Sequence, residues 1–345
     1  MVDETFAGPS GVFGVGISGP RLLASEREIL ERFPPWAVIL FKRNVESVEQ
    51  LRGLTRELRG LPGRPVLCVD EEGGPVDRFR DLLGPSISFR EAAERGVARR
   101  AGKLAGEACA RLGFDVDLAP VVDRLLPGAS ERVLRDRCAS PDPIAIARAA
   151  LDFLAGLHAH GVGGCVKHFP GLGRADLDTH KELPRIPSDP SEEERDLAPF
   201  ETTMKEAGAV MISHAAGPDG IPASLSGEKA GTLLRSRLGF RGAAFSDDLE
   251  MGALSALGEM PERAAAAAIA GCDLLFVCSR IAEYPACVER AGVTVPPERL
   301  HEAAGRLAAY RAGLDRLREP ASRAVAERSL EDLKADIAAL REGRP

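Results

Sequence analysis

The sequence predicts an α/β chain folded as a (β/α)8 barrel, a single domain with a C-terminal helical tail. Three observations carry this prediction. Eight short apolar runs recur along the chain, each followed by a longer helical pattern. The runs are near-continuous rather than alternating, as parallel strands buried on both faces must be. Asp70, Lys167, His168, His214 and Asp247 fall at or near the C-terminal ends of their runs, on four different units. A barrel gathers such ends into one mouth, whereas an open doubly wound sheet would scatter them along an edge.

The predicted strands, in order, are Val12 to Ile17, Ala37 to Phe41, Pro65 to Asp70, Phe114 to Ala119, Gly164 to Phe169, Ala209 to His214, Ala243 to Asp247 and Asp273 to Cys278. Helical patterns lie between them over Ser47 to Arg59, Ala92 to Leu112, Pro143 to His160, Glu192 to Ala207 and Ala253 to Ala270. The alanine run Ala264 to Ala268 is a helix interior, since alanine has the highest helix propensity. From about Pro296 to Leu340 the pattern reads as two helices separated near Glu319-Pro320. This places the barrel in residues 1–318 and a helical extension in 319–345.

Composition bounds the function. A net charge of −7 and a pI near 5.6 argue against nucleic acid as the main partner, because phosphate binding needs a basic face. No run of 18 apolar residues occurs, so no membrane-spanning helix is expected. Met1-Val2-Asp3-Glu4 opens without a basic stretch or an apolar run, so no secretion signal is expected and the cytoplasm is the expected location. Seven cysteines are spaced without a metal-ligand rhythm and read as buried reduced thiols. The six histidines include no H-x-H at a strand end, so a metal-dependent hydrolase is not expected; no cofactor is expected either. A monomer is expected.

The densest chemistry lies in Lys167-His168-Phe169-Pro170-Gly171-Leu172-Gly173 and the following Asp178-Thr179-His180, within fourteen positions. Two polar side chains at a strand end, then an ionisable pair on a loop, is how a barrel builds an active site. Ser246-Asp247-Asp248-Leu249-Glu250 places carboxylates after another strand. Asp248 reads as an N-cap or first-turn residue and Asp247 as the one that points into the mouth. In Asp70-Glu71-Glu72-Gly73-Gly74 the double glycine implies a tight turn and a close backbone approach. Asp70 can accept hydrogen bonds from vicinal hydroxyls, although the segment also reads as a charged turn. Arg137 can hydrogen-bond a sugar or neutralise a carboxylate.

These segments together resemble glycoside hydrolase family 3, specifically its bacterial single-domain β-N-acetylglucosaminidases of the NagZ-like group. The similarity runs from about residue 10 to 315 and rests on several motifs in order. They are Ala119-Pro120-Val121-Val122-Asp123, Asp136-Arg137 with Asp142-Pro143, Lys167 to His180, and Ser246 to Met251. Ile39 to Asn44, Pro222 to Ser226 and Ala270 to Asp273 add to them. The resemblance implies a TIM-type barrel and retaining, exo-acting removal of terminal β-linked GlcNAc. Cell-wall fragments (muropeptides) handled in peptidoglycan recycling are the implied substrates. It implies Asp247 as nucleophile, His180 as general acid/base and Asp178 as the group orienting His180. Asp70, Arg78, Arg137, Lys167 and His168 are implied to hold the sugar hydroxyls. The role of His214 stays open.

The chain departs from the family pattern at Leu172, where histidine is usual, at Pro75, where arginine is common, and at Ala139, where an aromatic is usual. Two other activities share the framework: a phosphorylase, with phosphate in place of water as acceptor, and a sugar-binding protein without catalysis. A histidine acid/base tolerates incoming phosphate better than a carboxylate would.

Overall fold

The computed structural model describes residues 8–127, 134–175, 177, 182–321 and 328–344. Nine parallel strands form a nearly closed barrel: β1 (Phe13–Gly16), β2 (Ala37–Leu40), β3 (Val66–Val69), β4 (Val116–Asp117), β5 (Gly163–Gly164), β6 (Val166–Phe169), β7 (Ala209–Ile212), β8 (Ala243–Asp248) and β9 (Leu274–Val277). The order around the sheet is β5-β4-β3-β2-β1-β9-β8-β7-β6. Because β5 and β6 are two lengths of one stave interrupted at Cys165, nine segments make the eight staves the sequence predicts. The stave is stitched to the β4 side by Gly163 N to Asp115 O (2.9 Å), Cys165 N to Ala119 O (3.0 Å) and Val122 N to Lys167 O (2.9 Å). The seven cysteines are all buried and unpaired.

Helix ends follow local chemistry. Ser47 accepts the Gln50 amide at 3.1 Å and opens Val48–Arg59. Asp142 accepts the Ile144 amide at 3.1 Å, with Pro143 at the first helical position of Pro143–His158. Two expected helices are shorter than their patterns. Ala92 to Leu112 divides into Phe89–Glu94 and Ala98–Leu112, because Gly96 takes φ +64° between them. The helix expected from Ala253 begins at Met260, after Gly258 at φ +98°. In the tail no break falls at Glu319-Pro320; the helix is continuous over Pro297–Ala321, followed by Leu330–Arg341. A proline in a last turn removes one amide donor without ending the helix before it.

The closed end of the barrel is sealed by aromatic packing. Trp36, 2% exposed, stacks on Tyr310 at 6.2 Å between ring centres, and the Tyr310 hydroxyl donates to Gly164 O at 2.8 Å. The helix Pro297–Ala321 reaches this position because β5 is Gly-Gly: a Cβ on Gly163 would lie 2.3 Å from Leu314 Cδ2. Asp273, fully buried, accepts from Arg235, Arg299 and Arg306, which ties the same helix to the barrel.

Outside β4, helices Ala98–Leu112 and Pro143–His158 touch backbone to backbone at glycines. A Cβ on Gly102 would stand 2.1 Å from Phe153 O, whereas one on Gly53, inside Val48–Arg59, would meet nothing within 4 Å. The same substitution therefore has opposite signs at the two sites. Gly53→Ala is expected to stabilise the protein by about 0.5–1 kcal/mol through helix propensity. Gly102→Ala is expected to destabilise it by roughly 1–3 kcal/mol through overpacking. Urea unfolding of the two variants checks both values.

Candidate active site

The open end of the barrel holds a cavity of about 850 Å³, counted out to open solvent, and six of the predicted site residues line it: Asp70, Arg78, Arg137, Lys167, His168 and Asp247. Asp178 and His180 lie outside the described residues. The six come from separate parts of the chain. Asp70 follows β3, Arg78 follows the glycine turn, and Arg137 closes a short 3-10 turn over Arg135–Arg137. Lys167 and His168 lie on β6, and Asp247 lies near the end of β8.

A chain of alternating charge joins them. Lys167 is 2% exposed, with Nζ 2.7 Å from Asp70 Oδ1 and 2.5 Å from Glu72 Oε1. Glu72 in turn receives Arg137 in a two-pronged contact, Nε to Oε2 at 2.7 Å and Nη2 to Oε1 at 2.9 Å. Arg137 Nη2 lies 3.3 Å from His168 Nε2. Arginine only donates, so His168 Nε2 is the acceptor, and Nδ1 carries the hydrogen that Asp123 Oδ2 accepts at 2.7 Å. Asp123 also accepts the amides of His168 (3.1 Å) and Leu172 (2.6 Å).

Burial disfavours charge on Glu72, yet Arg137 and Lys167 override it and hold its carboxyl well below the usual range. Burial likewise works against the Lys167 ammonium, while Asp70 and Glu72 hold it above its ordinary value. Glu72, Lys167 and Arg137 are therefore all charged, and each charge is answered by a neighbour. Glu72 and Asp123 are the functional residues that sequence reasoning missed. The available signals were an acid directly before Gly73-Gly74, and the acid that ends Ala119-Pro120-Val121-Val122-Asp123.

The glycine turn sets the Asp70–Arg78 segment. Gly73 and Gly74 take φ +79° and +58°, and a Cβ on Gly73 would stand 2.1 Å from Ile87 O. The close approach implied by the double glycine is therefore to the segment around Ile87. Glu71 Oε2 accepts the amides of Arg78 (2.7 Å) and Phe79 (3.3 Å). Arg78 Nη2 lies 3.7 Å from Asp70 Oδ2, and its Nε has no hydrogen-bond partner among the described residues.

At the end of β8, Asp247 Oδ1 accepts the Asp248 amide at 2.8 Å. Asp248 caps a turn rather than a helix: its Oδ1 accepts the Glu250 amide at 3.1 Å, and it lines the cavity beside Asp247. His214, the fifth strand-end polar residue, is fully buried and does not line the cavity. Its Nε2 donates to Asp248 O at 2.8 Å, and its Nδ1 faces Ser224 Oγ at 2.7 Å. Burial pushes the His214 imidazole down from its ordinary value, against the nearby Asp247 charge.

Leu172 is 3% exposed and packs with Val121, Leu134, Cys138, Ala175 and Ala215 in a small apolar cluster beside the cavity. The histidine usual in the family is thus replaced by a residue that its surroundings accept as apolar.

A family model described as "Glycosyl hydrolase family 3 N terminal domain" matches residues 17–309. A β-hexosaminidase of Alkalilimnicola ehrlichii is 38% identical over 290 residues, covering 80% of this chain and 83% of the relative. One from Xanthomonas oryzae pv. oryzae is 37% identical over 307 residues, covering 84% and 89%. Among solved structures, NagZ from Neisseria gonorrhoeae in complex with N-trifluoroacetyl-D-glucosamine superposes with a TM-score of 0.81 at 30% identity, covering 96% of this chain and 98% of that one. A family 3 β-N-acetylglucosaminidase from a Paenibacillus species gives 0.85 at 26% identity, covering 98% and 68%. With the barrel and its mouth as described, the chain belongs to glycosyl hydrolase family 3 and is a glycoside hydrolase.

Proposed function

We propose that the protein is a retaining exo-β-N-acetylglucosaminidase that removes terminal β-linked GlcNAc from peptidoglycan fragments during cell-wall recycling in the cytoplasm. The observation that carries this reading is the make-up of one cavity: a strand-end carboxylate, Asp247, shares it with the fixed donors and acceptors Asp70, Arg78, Arg137, Lys167 and His168. The relatives named β-hexosaminidase and the neighbour bound to N-trifluoroacetyl-D-glucosamine support the amino-sugar part of the reading. Seven unpaired buried thiols fit a reducing compartment.

In this mechanism Asp247 attacks the anomeric carbon as the bond to the leaving oxygen breaks. The electron pair leaves with that oxygen, which takes a proton from His180. His180 then removes a proton from water, whose oxygen displaces Asp247 and releases the sugar with its configuration retained. Asp178 orients His180. The donors and acceptors of the ionic network hold the sugar hydroxyls, at roughly 1.5–3 kcal/mol for each hydrogen bond to a charged group. Since the network is already paired before substrate arrives, it costs little reorganisation during reaction.

Release of nitrophenol from β-GlcNAc nitrophenyl glycoside, with and without inorganic phosphate, tests the activity. The wild type should turn over equally in both. Asp247→Ala should lose activity by roughly 10,000-fold while staying folded, and a fluorinated sugar should label Asp247 in the wild type. A rate that depends on phosphate would make the enzyme a phosphorylase. No turnover would leave a sugar-binding protein.

Glu72→Gln leaves Lys167 and Arg137 buried with one carboxylate fewer. It should cost roughly 3–5 kcal/mol of stability at neutral pH. The sign with pH follows from the lowered folded value of the Glu72 carboxyl: its contribution is full above about pH 4.3, the unfolded value, and is lost as pH falls towards the folded one. Wild type and Glu72→Gln should therefore converge in stability as pH drops below about 4. Unfolding curves at several pH values measure this.

A further inference from the structure

Asp178 and His180 fall between Arg174 and Pro187, in the stretch that links β6 to the helix Pro190–Ala207. The two ends of that stretch are held to each other. Arg174 Nε donates to Asp196 Oδ2 at 2.7 Å, and its Nη1 donates to Pro187 O at 2.6 Å. One guanidinium thus joins the first end both to the helix and to the second end.

The helix side of this contact is itself fixed. Asp196 is 4% exposed, and its Oδ1 accepts from Arg124 Nη1 at 3.1 Å. Arg124, also buried, donates to Glu192 Oε2 at 2.7 Å. Two glycines let the chain run against this pair. A Cβ on Gly171 would stand 2.9 Å from Asp196 Cβ, and one on Gly173 would stand 2.2 Å from Arg124 O. Apolar packing joins the same two ends. Leu172 and Ala175 from the first end share a cluster with Ala215, and Ile186 from the second end packs against it. Ile186 N donates to Ala216 O, and Ala216 N donates to Pro184 O, both at 2.9 Å. Neither Arg174 nor Asp196 nor Arg124 lines the sugar cavity, so this network serves the chain and not the substrate.

We propose that Arg174 is a positioning residue for His180. Its guanidinium straps the two ends of the stretch together, so that the acid/base works from a fixed base. The proposal rests on the reading of His180 as general acid/base. A stretch with both ends held samples fewer arrangements than one held at a single end. A proton donor acts only within hydrogen-bond reach of the oxygen it protonates, and misplacement by about 1 Å costs roughly 100-fold in rate. The strap needs arginine because a carboxylate and a carbonyl must be held at once, in different directions. A lysine ammonium keeps a charge for Asp196 and lacks the planar fork.

The test compares Arg174→Lys with wild type on two β-GlcNAc glycosides. Phenol leaves poorly and needs the proton of His180, whereas dinitrophenol leaves without one. On the phenyl glycoside kcat/KM should fall roughly 100-fold, and on the dinitrophenyl glycoside it should stay at the wild-type value. Equal losses on both, the mark of a merely structural role, overturn the proposal, as does an unchanged rate on the phenyl glycoside. Hydrogen exchange supplies a readout that needs no turnover. The amides of Ile186 and Ala216 should exchange roughly tenfold faster in Arg174→Lys, and unchanged exchange at both overturns the proposal whatever the rates do. Absence of wild-type turnover on both glycosides overturns the glycosidase reading and this proposal with it, an outcome distinct from a working enzyme whose two rates fall together.

Discussion

Lys167 is the constraint on which the mouth of the barrel depends. An ammonium that is 2% exposed must have its charge answered inside the protein, and it is answered twice, by Asp70 and Glu72. Glu72 is then shared with Arg137, and Arg137 with His168, whose far nitrogen is held by Asp123. Each link fixes a different loop: the end of β3, the glycine turn, the 3-10 turn at Arg137, β6 and the segment after β4. Moving any one of them exposes a buried charge, so the loops are positioned by electrostatics as much as by packing. Sugar hydroxyls are weak and numerous hydrogen-bonding groups, and a surface of prealigned charges is suited to hold them.

The opposite end of the barrel uses a different material. Trp36 and Tyr310 fill it, Gly163 lets the helix Pro297–Ala321 approach, and Asp273 anchors that helix through Arg299 and Arg306. Rigidity at the closed end and charge at the open end divide stability from chemistry, as the (β/α)8 architecture generally does.

The sequence made the staves legible because a strand buried on both faces has no choice but to be apolar. All eight staves appear at the expected places, and of the polar residues that end them Asp70, Lys167, His168 and Asp247 share one cavity, whereas His214 is buried against the Asp248 carbonyl. Helix ends were less legible. Gly96 and Gly258 cut two patterns short, since a single left-handed residue outweighs a run of good helix formers. Glu72 was hidden for another reason. A glutamate in a charged turn looks like solvent-facing sequence, and only the tertiary fold brings Lys167 and Arg137, 95 and 65 residues away, to its carboxyl. Leu172 shows the converse. Its departure from the family's histidine is plain in the sequence, while the apolar cluster that accepts leucine is visible only once Leu134 and Cys138 are folded beside it.

Carboxylates of one chemical type are thus sorted by their surroundings into different charge states at one mouth. Glu72 lies between two cations and is held well below the usual range despite burial. Asp117 and Glu71, just behind it, are pushed well above that range: burial dominates, opposed at Asp117 by the Glu71 amide and the Lys167 charge, and reinforced at Glu71 by the Asp77 and Asp117 charges in spite of its two amide donors. Asp248, with one amide, is pushed up to about 7 by burial and the neighbouring Glu250 and Asp247 charges. Direct pairing with cations separates Glu72 from the others, which neither residue type nor burial alone could do, since all are substantially buried. A glycosidase that needs one carboxylate charged and its neighbours quiet can meet that need by placing amides and guanidinium groups, without changing the acids themselves.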